Sequence, residues 1–240
     1  MYLLLFPFSY IHVLLTIGLL QFYKPARISI DWFQKDNYGK LVDDNGTPLE
    51  PIGFLHIIEH RFLLSEFKSA LLTRLLHNLE PQSSILLVDV LSVWKQYISR
   101  FDDVGKCIHY MNTASVVHFD TLINFLLQLN ESPSDALARC KGNVQSTSYQ
   151  LSGIMIDNIS YFTHDGASYN LLYKLLKMLR KNYGCFIVTI GYGLEYYEGI
   201  ELSLGGSTQY LDIPTRLPMS YVKNMDCVLL RDSEESARVL

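Results

Sequence analysis

The hydrophobic pattern changes period several times along this chain. "GFLHIIE", residues 53–59, is a short apolar run of the kind that forms a buried strand. Between Phe67 and Leu79, apolar residues at 67, 70, 71, 75, 76 and 79 have the spacing of one helix face. "SILLVDV" (84–90) is strand-like again. "HFDTLINFLLQL" (118–129) predicts a helix with Asp120 near its start. "SPSDALARC" (132–140) predicts a second, opened by Ser132 as N-cap and Pro133 as first residue. "GIMIDNIS" (153–160) is an apolar run that closes on Asp157. A helix is expected from about Ser168 to Tyr183, stopped by Gly184. On it Leu172, Leu175, Leu176 and Leu179 share a face, with Lys174, Lys177 and Lys181 opposite. "CFIVTI" (185–190) and "DCVLLR" (226–231) read as the last strands.

Strands this apolar must be covered on both faces. Separated by helices, they predict an α/β fold with a largely parallel sheet. Asp89 and Asp157 then fall near the C-terminal ends of strands, the edge where such sheets bind ligands. This core domain spans 53–240, after a polar, turn-rich linker at 36–52 and an apolar arm at 1–35. Residues 1–23 carry no Asp, Glu, Lys or Arg, and their length suits a membrane span. They lack a basic n-region and a small-residue cleavage site, and Pro7, Ser9, His12, Thr16 and Gln21 interrupt them. A membrane-anchored α/β adaptor or enzyme is one reading; a buried arm and a wrongly assigned start codon are the others.

Composition narrows the class. With 240 residues, 49% hydrophobic and 18% charged, the chain can bury a sizeable core and is not a disordered one. Its net charge of −4 gives no global attraction to nucleic acid or anionic lipid. Cys107, Cys140, Cys185 and Cys227 are widely separated with no C-x-x-C pair. That argues against a zinc cluster or disulfide framework and reads as buried thiols in a reducing compartment.

Asp157 stands where P-loop ATPases place a magnesium-holding acid. Such a site also needs glycines that let backbone N–H groups wrap the phosphates, then Lys and Ser/Thr. The stretch after the first strand, "EHRFLLSEFKSALL" (59–72), has no glycine and no Gly-Lys-Ser/Thr, and Phe62, Leu63 and Leu64 are bulky. No G-x-x-x-x-G-K occurs elsewhere. Asp157 is therefore expected to be a vestigial acid, with no catalytic residue and no cofactor.

"HIIEH" (56–60) matches H-x-x-E-H, a zinc-hydrolase pattern that works only on a helix. On a strand, His56 and His60 lie about 13 Å apart, so a structural role is expected for His56, Glu59 and His60, and no metal. There is no G-x-S-x-G. Gly205-Gly206 in "ELSLGGSTQYLD" (201–212) is a surface loop or a phosphate-contacting one. Lys174, Lys177, Arg180 and Lys181 form a basic helix face, either solvated or turned to DNA phosphates.

Seven phrases occur in one order: "GFLHIIE" (53–59), "YMN" (110–112), "SPSDALARC" (132–140), "GIMIDNIS" (153–160), "GCFIVT" (184–189), "YYEGIE" (196–201) and "PTRLPMSYVKNMD" (214–226). On these, residues 53–231 resemble the platinum-sensitivity subunits of yeast Shu complexes, divergent paralogues of RecA-type recombinases. The resemblance implies a RecA-like core with degenerate ATPase motifs. It implies a non-catalytic subunit that pairs with a second RecA-like subunit and joins two further Shu subunits. It implies a nuclear role: binding single-stranded or forked DNA and helping the strand-exchange recombinase assemble, in homologous recombination and error-free damage tolerance. A nuclear protein of this kind carries no membrane anchor.

By the same resemblance, the loop between the strands at 185–190 and 226–231 faces DNA. Gly205, Gly206, Ser207 and Arg216 are then candidate contacts. Yet residues 191–216 hold Glu195, Glu198, Glu201 and Asp212 against Arg216 alone, a balance that repels phosphate. The other DNA-facing loop that the resemblance implies, about Tyr161–Asn170, has Asp165 and no Lys or Arg, so DNA contact falls to the partner or to the helix face of Lys174, Lys177 and Lys181.

Overall fold

A computed structural model of the chain describes residues 53–59, 66–98, 107–112, 116, 118–140, 149–162, 166–193, 217–231 and 237–239. In chain order the elements are β1 (Phe54–Glu59), α1 (Glu66–His77), β2 (Ser83–Asp89), β3 (Cys107–Asn112), α2 (Phe119–Glu131), α3 (Pro133–Ala138), β4 (Gln150–Asp157), a 3-10 turn (Ile159–Tyr161), α4 (Gly166–Tyr183), β5 (Phe186–Tyr192), α5 (Met219–Val222), β6 (Cys227–Arg231) and β7 (Ala237–Val239).

The strands form one sheet in the order β3-β2-β4-β5-β1-β6-β7. The first six run parallel, and β7 joins β6 antiparallel. This is the α/β arrangement that the alternation of strand and helix patterns implied, and the RecA-like one that the resemblance implied. The register sets β2, β4, β5, β1 and β6 level, so Asp89 lies beside Asp157 and Glu59 lies between Tyr192 and Arg231.

Side chains alternate across a strand, and the two cores divide by that parity. Phe54 and Ile58 of β1, Ile154 and Ile156 of β4, and Ile187 of β5 face α2, α4 and α5. Leu55, Ile57, Met155, Val188 and Leu229 face α1 and Trp94. Helices α2 and α4 lie side by side and run the same way. Phe119 meets Tyr169 at their starts, and Asn182 donates to Asn130 near their ends. Gly184, at φ 65°, ends α4 in the left-handed backbone that glycine adopts without strain.

Two strands escaped the sequence reading. β3 mixes His109, Tyr110 and Asn112 with apolar residues and lies at the sheet edge. β7 is only three residues long, so "DCVLLR" is not the last strand. Two local expectations also need correction. Ser132 sits at the start of α3 without a side-chain cap hydrogen bond. Of the thiols, Cys185 and Cys227 are buried, but Cys140 is only partly so.

Gly153 shows how tightly the sheet packs. A Cβ there would sit 2.3 Å from Cζ of Phe186, its register neighbour and itself buried. Gly153→Ala is expected to lower unfolding free energy by about 1–3 kcal/mol. In urea denaturation, pairing it with Phe186→Leu should cost less than the two single losses combined. Simple additivity would show that the ring does not set the constraint.

Candidate functional site: a buried ion cluster at the carboxyl edge of the sheet

Odd-numbered positions of β1, β2, β4 and β6 point to the α1 face, and each of these strands ends on that face with a charge. The residues are Glu59, Asp89, Asp157 and Arg231, all buried. Water is excluded there, so each charge needs a partner.

The main partner is Lys68, in the first turn of α1 and fully buried. Its Nζ lies 2.8 Å from Glu59 Oε2 and 3.0 Å from Asp157 Oδ2, and it donates to both oxygens of Asp157. Asp157 Oδ2 also accepts from Trp94 Nε1 at 2.9 Å. Glu59 Oε1 lies 3.5 Å from Arg231, whose guanidinium covers the Phe67 ring at 4.5 Å. Two acids and two bases thus close on one another.

Burial by itself would lower the Lys68 pKa. The carboxylates of Asp157 and Glu59 outweigh it, and the pKa rises, so the ammonium is held charged. Burial pushes Glu59 up, with Lys68 opposing.

Asp89 is a cap rather than a ligand. It accepts from the N–H groups of Val93 and Trp94 and from the Tyr110 hydroxyl, and so folds the chain after β2 over the sheet edge. Burial raises its pKa, with Tyr110 opposing. By placing Trp94, Asp89 also supplies the indole N–H that Asp157 accepts.

Sequence reasoning identified Asp157, and gave Glu59 a structural role, but missed Lys68, Arg231 and Trp94. A signal was present. Aligned on its lysine, "FLLSEFKS" (62–69) has the length of G-x-x-x-x-G-K-S, with Phe62 and Phe67 in the glycine positions and Lys68-Ser69 kept. The lysine that would reach a triphosphate instead binds the acid that would hold magnesium. Phe67, buried under Arg231, takes the place of a glycine whose bare backbone a phosphate would need. The residues present do not fit a bound nucleoside triphosphate.

The zinc pattern also dissolves. His56 and Glu59 lie on a strand and point to opposite sheet faces. His56 is fully buried, with Nδ1 2.8 Å from Thr189 Oγ1 and its ring edge-on to Tyr221. Among the described residues no group of His, Cys, Asp and Glu is placed to hold a metal.

Lys174, Lys177 and Lys181 share the exposed face of α4. Arg180 does not join them. It reaches Asp226 at 3.5 Å and lies over Gly53, at the start of β1. Asp226 also accepts from the N–H groups of Gly53 and Phe54. Because α4 runs against the strands, Lys181 lies near this amino-terminal edge. It stands about 20 Å along the helix from the carboxyl edge. The structure therefore brings the three lysines together but sets them away from Asp157.

Gly205, Gly206, Ser207, Arg216, His60, Phe62–Leu64, the arm at 1–35 and the linker at 36–52 lie outside the described residues. No helix among the described residues is long and apolar enough to cross a membrane.

Three comparisons bear on this geometry. Residues 17–234 match a family model described as Shu complex component Psy3, with a DNA-binding description. The match begins inside the apolar arm, beyond the phrases that carried the resemblance. Platinum sensitivity protein 3 of Saccharomyces cerevisiae is 36% identical over 200 residues, covering 75% of this chain and 77% of that protein. Among solved structures, the cytoplasmic domain of EssC aligns at TM-score 0.37 with 15% identity, over 88% of this chain and 41% of that one. On the family match and the identity over three quarters of its length, the chain belongs to the Psy3 family of Shu complex components.

Proposed function

We propose that this chain is a non-catalytic, nuclear subunit of a Shu-type recombinase mediator. It pairs with a second RecA-like subunit, joins two further Shu subunits, and shares single-stranded or forked DNA with its partner. In this way it helps the strand-exchange recombinase form filaments in homologous recombination and error-free damage tolerance. Family membership supports the complex. The observation that carries the non-catalytic reading is the Lys68–Asp157 pair, which engages both charged groups a magnesium–triphosphate would require.

Co-expression tests this directly. The chain should be poorly soluble alone and should co-purify at one-to-one stoichiometry with its RecA-like partner. The four-subunit complex should speed recombinase assembly on single-stranded DNA. A chain that purifies as a stable monomer and leaves assembly unchanged in the complex contradicts the proposal. Replacing Lys174, Lys177 and Lys181 with Ala should lower the slope of log affinity against log salt if that face meets phosphates. An unchanged slope assigns those contacts to the partner.

A further inference from the structure

Helices α2 and α4 run side by side, and the outer side of their seam keeps aliphatic side chains in water. Leu127 of α2 is 39% exposed and Leu171 of α4 is 50% exposed. Residues three, four and seven apart share a helix face. Leu127 therefore shares its face with Ile123 and Asn130, and Leu171 shares its face with Met178 and Asn182. Asn182 donates to Asn130 across the seam at 2.6 Å, so both faces turn toward it. Met178 is partly buried against the core below. Leu127 thus forms one bank, and Leu171 with Met178 the other. A lone exposed leucine means little, but two on facing flanks of one seam, rimmed by polar residues, mark an interaction surface.

The two rims differ in charge. Lys174 and Lys181 stand three residues after Leu171 and Met178, so ammonium groups edge the α4 bank. Both are exposed, as is Lys177, which lies 5.9 Å from the Tyr173 ring on the flank away from α2. α4 contains no Asp or Glu, and its Arg180 is turned to Asp226. The α2 rim is Asp120, Asn124 and Glu131, all exposed, with the acids at its two ends. From Leu171 to Lys181 the bank runs about 15 Å, or three helical turns.

An occupant must supply aliphatic area over the leucines and negative charge beside the lysines. A phosphate backbone supplies the charge alone, and bases are held by aromatic stacking, which leucine and methionine do not offer. The seam also runs toward the amino-terminal edge of the sheet, away from the edge where ligands of parallel sheets bind. An amphipathic helix supplies both, because its i, i+3, i+4 and i+7 side chains lie in such a groove. Charge complementarity then fixes which of its edges bears the acids.

We propose that the α2–α4 seam docks a helix of another protein, about three turns long, with an aliphatic stripe and with acids along the edge that lies over α4. The inference goes beyond the DNA-sharing role and does not depend on it. It gives Lys174 and Lys181 to a protein contact, so their replacement leaves the salt slope of DNA binding unchanged.

The test uses the chain co-purified with its RecA-like partner. The probe is a fluorescein-labelled peptide with Leu in helix-face spacing, Glu on one flank and Gln elsewhere. Fluorescence anisotropy should show saturable, one-to-one binding. Leu171→Ser should weaken it about 10-fold, and Leu127→Ser should act in the same direction. Lys174→Gln combined with Lys181→Gln should weaken it about 3- to 10-fold at low salt, and less at high salt. A peptide with Lys in place of Glu should not bind. Each variant should unfold at the wild-type temperature, since all four side chains are exposed.

A wild-type pair that does not bind the acidic peptide overturns the proposal. So does binding that survives both Leu171→Ser and Leu127→Ser, since charge alone then holds the peptide. If oligothymidylate displaces the peptide, the face meets phosphates and the proposal fails. Displacement by the two further Shu subunits upholds it and places the docked helix among them.

Discussion

Lys68→Met is expected to lower the unfolding free energy by about 3–5 kcal/mol, the loss typical when one partner of a buried ion pair is removed. The cause is what remains. Asp157 would keep the Trp94 indole N–H but no cation, and Glu59 would keep Arg231 at 3.5 Å. Two buried carboxylates would then face each other across the methionine. Lys68→Arg should be milder, since the charge remains. The double variant Lys68→Met, Asp157→Asn should recover much of the loss, because the one acid left, Glu59, keeps Arg231 as its counter-charge. Thermal and urea unfolding of the purified protein read these differences. A Lys68→Met protein as stable as the wild type would show that the cluster is open to water and that its charges are solvated.

Acid should destabilise the fold through His56 well before carboxylates titrate. Burial lowers its pKa to about 3, with the hydrogen bond to Thr189 opposing. The unfolded chain binds a proton near 6.5, and the folded chain does not. The contribution is therefore complete above pH 6.5 and is lost as pH falls toward 3. A depression of that size corresponds to roughly 4–5 kcal/mol at its limit. His109, also lowered by burial, acts in the same direction. Glu59 and Asp89 act in the opposite direction. Burial raises both, so the folded state takes up their protons first as pH falls. Subtracting the pH profile of His56→Gln from that of the wild type isolates the histidine. The difference should shrink steadily from pH 7 to pH 4. A flat difference would mean that His56 takes up its proton alike in the folded and unfolded chains.

The framework was legible because its signals are local. Apolar strand runs, helix faces at 172, 175, 176 and 179, and the Gly184 stop each depend on a few neighbouring residues. Asp89 and Asp157 were expected at the C-terminal ends of strands, and both lie there. The ion cluster was not legible, because its members come from β1, α1, β4 and β6, and only the sheet order makes them neighbours. A search for glycines in residues 59–72 also hid the lysine. Lys68 reads as one more helix residue until Phe62 and Phe67 are seen to occupy the glycine positions. β3 was missed for a related reason. Its polar residues are tolerated at a sheet edge, where β-propensity gives a weak signal.

The basic helix face teaches the reverse lesson. Lys174, Lys177 and Lys181 were correctly placed on one surface, yet sequence alone could not say which end of the sheet that surface approaches. Arg180 fixes it, by reaching past Gly53 to Asp226 at the amino-terminal edge.

This RecA-like domain satisfies Lys68 internally, through Asp157 and Glu59, and under the proposed function it works through contact. Thermal unfolding of the purified complex across a titration of magnesium-ATP tests it most directly. The midpoint should not move with nucleotide, for the wild type and for Asp157→Asn alike. Specific binding to the native state at a hundredfold excess over its dissociation constant would add about 2.7 kcal/mol. A concentration-dependent rise in the wild-type midpoint that Lys68→Met abolishes would contradict the account.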